Sequence, residues 1–227
     1  MKFIVLGKGK TGSLVAEFAA ARGHSVTSFD DTDNANARAL TRETLAGMDV
    51  VIDFTTPEAA LENISACARA GATMVVGTTG WYGEMEYVRG LVEKSGSGFL
   101  YGSNFSPGVN VFFKIARAAG TAMRFGYSIK LVERHHVHKK DQPSGTALTL
   151  QKAVKQASGV EPEITSIREG EVVGTHVILL DSPHDTMMLV HDAKDRGGFA
   201  EGAVRAAEWI AGKKGFYDFT EIFEELP

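Results

Sequence analysis

An α/β fold built on a parallel sheet is predicted by three observations. Residues 1–6 form a short apolar run, followed by Gly7-Lys8-Gly9-Lys10-Thr11-Gly12 and a helical pattern with Leu14, Val15, Phe18 and Ala19 on one side. A second apolar run, 25–29, ends at Asp30-Asp31. Strand-like runs then alternate with helical ones as far as residue 102. In a Rossmann-like dinucleotide-binding domain, the first glycine permits the tight turn and the second the approach of a pyrophosphate. The third allows close packing of helix on strand, and an acid at the end of the second strand holds a ribose hydroxyl pair. The same pattern also fits a fold in which Asp30 serves only as a turn or cap residue.

Residues 49–54 read as a buried strand, Thr56 and Pro57 as the cap and first residue of a helix to residue 69, and 73–76 as the next strand. A helix over 82–95 leads to a strand over 99–102. The loops Phe54-Thr55-Thr56-Pro57, Gly77-Thr78-Thr79-Gly80 and Ser103-Asn104-Phe105-Ser106 all follow strand ends, where open parallel sheets bind ligands. They are expected to share a crevice with the glycine loop. After Pro107 the pattern changes to a helix over 111–123 and strands over 127–132, 164–168, 175–180 and 187–191, with one further helix over 146–157. A helical run over 199–211 (Ala203, Ala206, Ala207, Ile210) is expected to return to the first domain. The expected division is a dinucleotide-binding domain of 1–106 and 198–227 and a smaller α+β domain of 107–197. Trp209 is expected in a core or an interface.

At 227 residues and a net charge of −4, the chain can bury a full core and lacks the basic excess of a nucleic-acid or membrane-surface protein. Its single cysteine, Cys67, excludes an internal disulfide and suits a reducing cytoplasm. The neighbours Ile64, Ala66 and Ala68 mark Cys67 as a core position rather than a nucleophile. No apolar run reaches membrane-spanning length, and Met1 leads straight into a strand without a signal-peptide pattern.

The stretch with the most chemistry runs from Glu133 to Ala147, E-R-H-H-V-H-K-K-D-Q-P-S-G-T-A. Ser144 or Thr146 can cap the helix that follows, leaving the N–H groups of Gly145 and Thr146 pointing outward with the positive end of the helix dipole behind them. A carboxylate or phosphate fits there. His135, His136, His138, Lys139 and Lys140 add positive potential and groups able to exchange protons. The plain structural alternative is a capped helix behind a solvated basic loop. No second cluster of carboxylates or cysteines completes a metal site, so none is expected. Glu133 either orients a histidine or pairs with Arg134 or Lys130 on a surface strand.

Glu133-x-His135-His136-x-x-Lys139-x-Asp141-x-Pro143-Ser144-Gly145-Thr146-Ala147 closely resembles the signature of the 4-hydroxy-tetrahydrodipicolinate reductase (dihydrodipicolinate reductase) family. The resemblance extends to the glycine loop, Asp53-Phe54-Thr55, Gly77-Thr78-Thr79-Gly80, Ser103-Asn104-Phe105-Ser106 with Gly108-Val109-Asn110, and Arg196-x-x-Phe199-Ala200-x-Gly202-Ala203. It implies a cytoplasmic, nicotinamide-dependent oxidoreductase of lysine and diaminopimelate biosynthesis, acting on a small cyclic dicarboxylate and assembled as a homotetramer through the sheet of the smaller, substrate-binding domain. It further implies that His135 donates or accepts a proton and Lys139 donates one, unless Lys139 acts only through its charge. Substrate would meet His136, Ser144, Gly145 and Thr146. Cofactor would meet Gly7, Lys8, Gly9, Lys10, Thr11, Gly12, Asp30, Gly77, Thr78, Thr79, Ser103, Asn104, Phe105 and Ser106.

Two departures matter. The glycine loop is one residue shorter than the usual form in this family, and the segment 31–48 is abbreviated. No arginine follows Asp30 and Asp31 adds negative charge, so NADH is expected to be preferred, with NADPH the second nucleotide and Lys8 or Lys10 within reach of its phosphate. The alternatives are a related reductase of another small carboxylate and a non-catalytic nucleotide-binding protein.

Overall fold

In the computed structural model, which describes all 227 residues, the first apolar run forms β1 (Lys2–Leu6), buried at every position after Lys2. It lies between β2 (Ser25–Phe29) and β3 (Val50–Asp53), parallel to both. With β4 (Met74–Val76), β5 (Gly98–Tyr101) and β10 (Gly215–Asp218) the sheet order is β10-β5-β4-β3-β1-β2. The chain leaves β1 for β2 on one side and then crosses to β3 on the other. Strand order therefore reverses at β1, and the crevice at the carboxyl ends of β1 and β3 is the natural ligand position of such a sheet.

Both faces of this sheet are covered, as its unbroken apolar strands require. Phe3, Val5, Ile52, Val75 and Leu100 face Val15 and Ala19 of α1 (Lys10–Ala21) and Ala203 and Ala207 of α7 (Gly197–Ile210). Ile4, Leu6, Val51 and Met74 face Ile64 and Cys67 of α3 (Pro57–Ala70) and Val88 and Val92 of α4 (Met85–Ser95). Cys67 is a core residue, and burial pushes its thiol far above the usual range. The Thr56 hydroxyl accepts from the Ala59 N–H, Pro57 opens α3, and Gly71 closes it at φ 72°. Trp209 is half-buried, its ring edge-on to Tyr217 and covered by the Lys213 ammonium at 3.4 Å.

Three α-helices or strands lie outside the sequence expectation: α2 (Arg42–Leu45), β10 and α8 (Phe219–Ile222). Each spans only four residues, too few for periodicity to register. β10 is held by tertiary contact, its Phe216 ring stacked 5.0 Å from Phe99 of β5.

The chain divides into two units, Met1–Ser106 with Gly197–Pro227, and Pro107–Arg196. In the second, β6 (Ser128–His135) pairs in parallel with β7 (Glu163–Arg168) and antiparallel with β8 (Gly174–Asp181), which pairs antiparallel with β9 (Thr186–Ala193). α5 (Pro107–Gly120) and α6 (Gly145–Ser158) cover one face, packing Phe112, Ala116, Leu150 and Val154 on Ile129, Leu131, Ile178 and Leu180. α5 starts at Pro107 rather than at residue 111, as a proline suited to the first turn allows. β6 also departs from expectation, running beyond residue 132 to His135. Its inward row is Ile129, Leu131, Glu133 and His135, so the period-2 alternation continues after hydrophobicity has stopped. His135 is thus a strand residue, not part of a basic loop.

Candidate active site

Where the inward face of the second sheet turns from apolar to polar, strand register brings five side chains together. Glu133 sits opposite His176 on β8 and beside Ser166 on β7, and His135 sits beside Arg168. Glu133 is 1% exposed and His135 7%. One carboxylate oxygen of Glu133 accepts from His135 Nδ1–H, and the other accepts from Arg168 Nη1 at 2.8 Å. Glu133 therefore orients a histidine, and the surface-strand alternative does not apply. The His176 ring lies edge-on to His135 with centroids 5.2 Å apart, and its Nε2 is 3.3 Å from the Ser144 hydroxyl. That hydroxyl caps α6 by accepting from the Ala147 N–H, which settles the choice between Ser144 and Thr146.

The charges follow from this geometry. Burial works against the Glu133 carboxylate, yet the neighbouring Ser166, the hydrogen bond from Arg168 and the nearby His135 hold it below the usual carboxylate range. Burial also lowers the proton affinity of His135, more than the Glu133 carboxylate raises it, while Lys139 and Arg168 lower it further. The neutral ring that results donates through Nδ1 to Glu133 and keeps its lone pair on Nε2. His176 is pushed down to about 3, first by burial and then by His135. Glu133, His135 and His176 each offer one metal-ligating atom, all within 4.8 Å of one another. His176 is a third ligand-type group that the sequence reading does not find. A cation there would meet the Arg168 guanidinium already bound to the same carboxylate, so the arrangement suits proton transfer better than metal binding.

After β6, the His136 N–H donates to the Val172 carbonyl at 2.8 Å, and the Lys139 N–H closes a turn on the His136 carbonyl at 3.1 Å. Lys139 Nζ lies 2.7 Å from the Asp141 carboxylate. Burial raises the proton affinity of that carboxylate, but Lys139 and the N–H groups of Asp141 and Gly145 hold it below the usual range. Asp141 thereby places an internal anion close to the Gly145 N–H at the start of α6. His136 is half-buried; His138 and Lys140 are exposed.

In the first unit, Leu6–Gly9, Phe29–Asp31, Asn34–Asn36, Phe54–Thr56, Ala59 and Asn63 line a cleft of about 570 Å³ at the switch point. Gly7 takes φ 93°, its N–H donating to the Phe29 carbonyl at 2.8 Å. Lys8 Nζ lies 3.3 Å from Asp30 and 3.0 Å from Asp33. The Asp33 N–H, with Lys8, holds the Asp30 carboxylate below the usual range. Arg38 donates to the Thr32 and Asp33 carbonyls at 2.5 and 3.1 Å. An arginine does therefore follow Asp30, eight residues on and bound to backbone.

Lys10, Thr11 and Gly12 belong to the first turn of α1, and Gly77, Thr79 and Ser103 do not line the cleft. The Thr78 hydroxyl faces inward, donating to Asp53 at 2.6 Å and accepting from the Thr55 N–H at 2.7 Å. Phe105 is a core residue against Phe219, Asn104 is buried, and its side-chain oxygen takes the N–H of the equally buried Ser106 at 2.9 Å. A strand-end loop over a full core must satisfy its own polar groups, and these side chains serve the loop. Sequence reading also misses what anchors the loops. Asp53, fully buried, takes hydrogen bonds from Thr55, Thr78 and Asn63, and Asn63 accepts from Asn34 at 2.8 Å. The signal available was an aspartate ending an apolar strand two residues before a threonine.

Residues 1–105 match the family described as dihydrodipicolinate reductase, N-terminus, and residues 108–223 match dihydrodipicolinate reductase, C-terminus. The 4-hydroxy-tetrahydrodipicolinate reductase of Christiangramia forsetii is 37% identical over 240 residues, covering 100% of this chain and 99% of that protein. The enzyme of the same name from Thiobacillus denitrificans is 35% identical over 231 residues, covering 92% of this chain and 84% of that protein. In fold, the chain is similar to a dipicolinate-bound dihydrodipicolinate reductase from Paenisporosarcina sp. TG-14, with a TM-score of 0.75 at 22% identity over 98% of this chain and 99% of that one. Two matched halves and two relatives above one-third identity lead to one conclusion: the chain belongs to the dihydrodipicolinate reductase family.

Proposed function

We propose that the chain is an oxidoreductase that reduces the cyclic, unsaturated dicarboxylate derived from 4-hydroxy-tetrahydrodipicolinate to tetrahydrodipicolinate, in lysine and diaminopimelate biosynthesis. The observation that carries this reading is the buried Glu133–His135 pair beside Lys139 and a serine-capped helix start, in a chain that matches the family throughout. The first unit suits a nicotinamide nucleotide, since its glycine turn brings bare backbone to the cleft at the switch point. That nucleotide supplies hydride when bound. The remaining chemistry belongs to the chain: a proton must reach the carbon beside the reduced one, and the carboxylates must be held. His135 exchanges the proton through Nε2, Lys139 donates it, and His136, Ser144, Gly145 and Thr146 receive the dicarboxylate, one carboxylate taking over the α6 N-terminus from Asp141. Burying a carboxylate against a histidine costs stability, and such costs gather at functional sites.

NADH is the preferred nucleotide in this reading. A 2′-phosphate at the end of β2 would face Asp30, Asp31 and Asp33, while Lys8 is already paired and Arg38 is bound to carbonyls. With substrate made in situ by the preceding synthase from pyruvate and aspartate semialdehyde, NADH oxidation at 340 nm is expected, and it disappears in His135→Ala. A kcat/KM for NADPH more than about tenfold above that for NADH overturns the preference.

The second unit is read as the substrate-binding and assembly domain. The outer face of its sheet exposes Met188, Val190 and Ile167, an apolar surface suited to burial between subunits. Light scattering is expected to give a homotetramer of the 24.4 kDa chain, and a monomeric mass removes this reading. No helix is long and apolar enough to cross a membrane. The buried free thiol of Cys67 agrees with a reducing, cytoplasmic location.

A further inference from the structure

Arg168 binds two things at once. Its Nη1 donates to Glu133, whose other oxygen holds His135, and its Nη2 donates to the Asp141 carbonyl at 2.5 Å. Asp141 in turn holds Lys139 through its side chain. Register on β7 fixes the guanidinium in this place, because Arg168 is the direct neighbour of His135 across the ladder. We propose that Arg168 is a positioning residue of the reaction, a single fork that sets the ring of His135 through Glu133 and the segment carrying Lys139 through Asp141. This rests on the function proposed above.

Beyond the turn closed by the Lys139 N–H, the chain as far as Ser144 forms no strand or helix, so its placement depends on side chains from neighbouring elements. A guanidinium presents its donors in a rigid plane and reaches a carboxylate and a carbonyl simultaneously; an ammonium of similar reach is a point charge. Arg168 also leaves its buried Nε without a hydrogen-bond partner, a cost that ordinary packing would not retain. The groups that face His135 are Glu133 from its own strand, Arg168 from β7, His176 from β8 and Lys139 from the following turn.

The test compares Glu133→Gln, Arg168→Met and Arg168→Lys with the wild type. The titration of His135 is followed by ¹⁵N NMR of histidine-labelled protein, its signal assigned by its absence in His135→Asn. Glu133→Gln removes an anion and is expected to lower the His135 midpoint; Arg168→Met removes a cation and is expected to raise it. Arg168→Lys restores the charge, so the midpoint returns toward that of the wild type, but it cannot bridge both partners. In all three, kcat is expected to fall about 10–100-fold with the KM for nucleotide unchanged. Opposite shifts follow from removing either charge, so the positioning role is read from Arg168→Lys, in which the midpoint returns and kcat does not. Unmoved midpoints, or an Arg168→Lys protein with wild-type kcat, overturn the proposal. A wild type that reduces no synthase-derived substrate while the midpoints still move in opposite directions would refute the reductase reading and leave the linkage through Arg168 standing.

Discussion

A Lys139→Met protein will bind NADH as tightly as the wild type and reduce substrate at least about 100-fold more slowly, the loss a positioned proton donor produces. Methionine keeps the length and apolar stem of the side chain and removes only the ammonium that pairs with Asp141 at 2.7 Å. The loss should lie in kcat, because the group acts while the new C–H bond forms, after both ligands are bound. Lys139→Arg separates the two roles open to this residue. Arginine preserves the positive charge but does not release a proton in proteins, so it stays slow if Lys139 donates and recovers if Lys139 only offsets substrate charge. Stopped-flow single turnovers, which exclude product release, are the measurement. Near-normal turnover in Lys139→Met removes the residue from the mechanism.

The sequence exposes some parts of this site and hides others for identifiable reasons. Thr56-Pro57 before an apolar helix and Ser144 before α6 are local capping signals, and both caps form as local chemistry requires. The glycine loop is equally local, since one turn joins β1 to α1. By contrast, Glu133 and His135 are separated in sequence from Arg168 and His176 and meet only through the register of β6 with β7 and β8. No spacing rule announces such a meeting. The end of β6 is hidden for a related reason: the residues that continue its buried face are polar, and they are tolerated there only because Arg168 and the histidines satisfy them. Thr78 and Asn104 mislead in the opposite way, as polar residues in strand-end loops whose side chains turn inward to complete the loop.

Gly7→Ala and Gly9→Ala will both weaken NADH binding, but only the first will also lower stability. At Gly7 the backbone takes φ 93°, and an added Cβ would stand 2.2 Å from the Phe54 carbonyl oxygen. Relieving that overlap requires one wall of the cleft to move by roughly 1 Å, and the positive φ itself costs about 1–3 kcal/mol. The β1 turn and the β3 loop would both be displaced where they line the cleft. A fall of about 100-fold in affinity and a lower melting temperature are expected together. Gly9 is different. Its φ is −74°, open to any residue, and a Cβ there meets nothing within 4 Å. The free protein has no use for a glycine at position 9. If the pyrophosphate lies against the start of α1, however, a methyl group at Gly9 occupies the space it needs. Gly9→Ala should therefore melt with the wild type in the absence of nucleotide and show a smaller stabilisation when NADH is added, read by calorimetric melting with and without the ligand. Equal stabilisation in both proteins would place the phosphates elsewhere and leave Gly9 as a turn residue only.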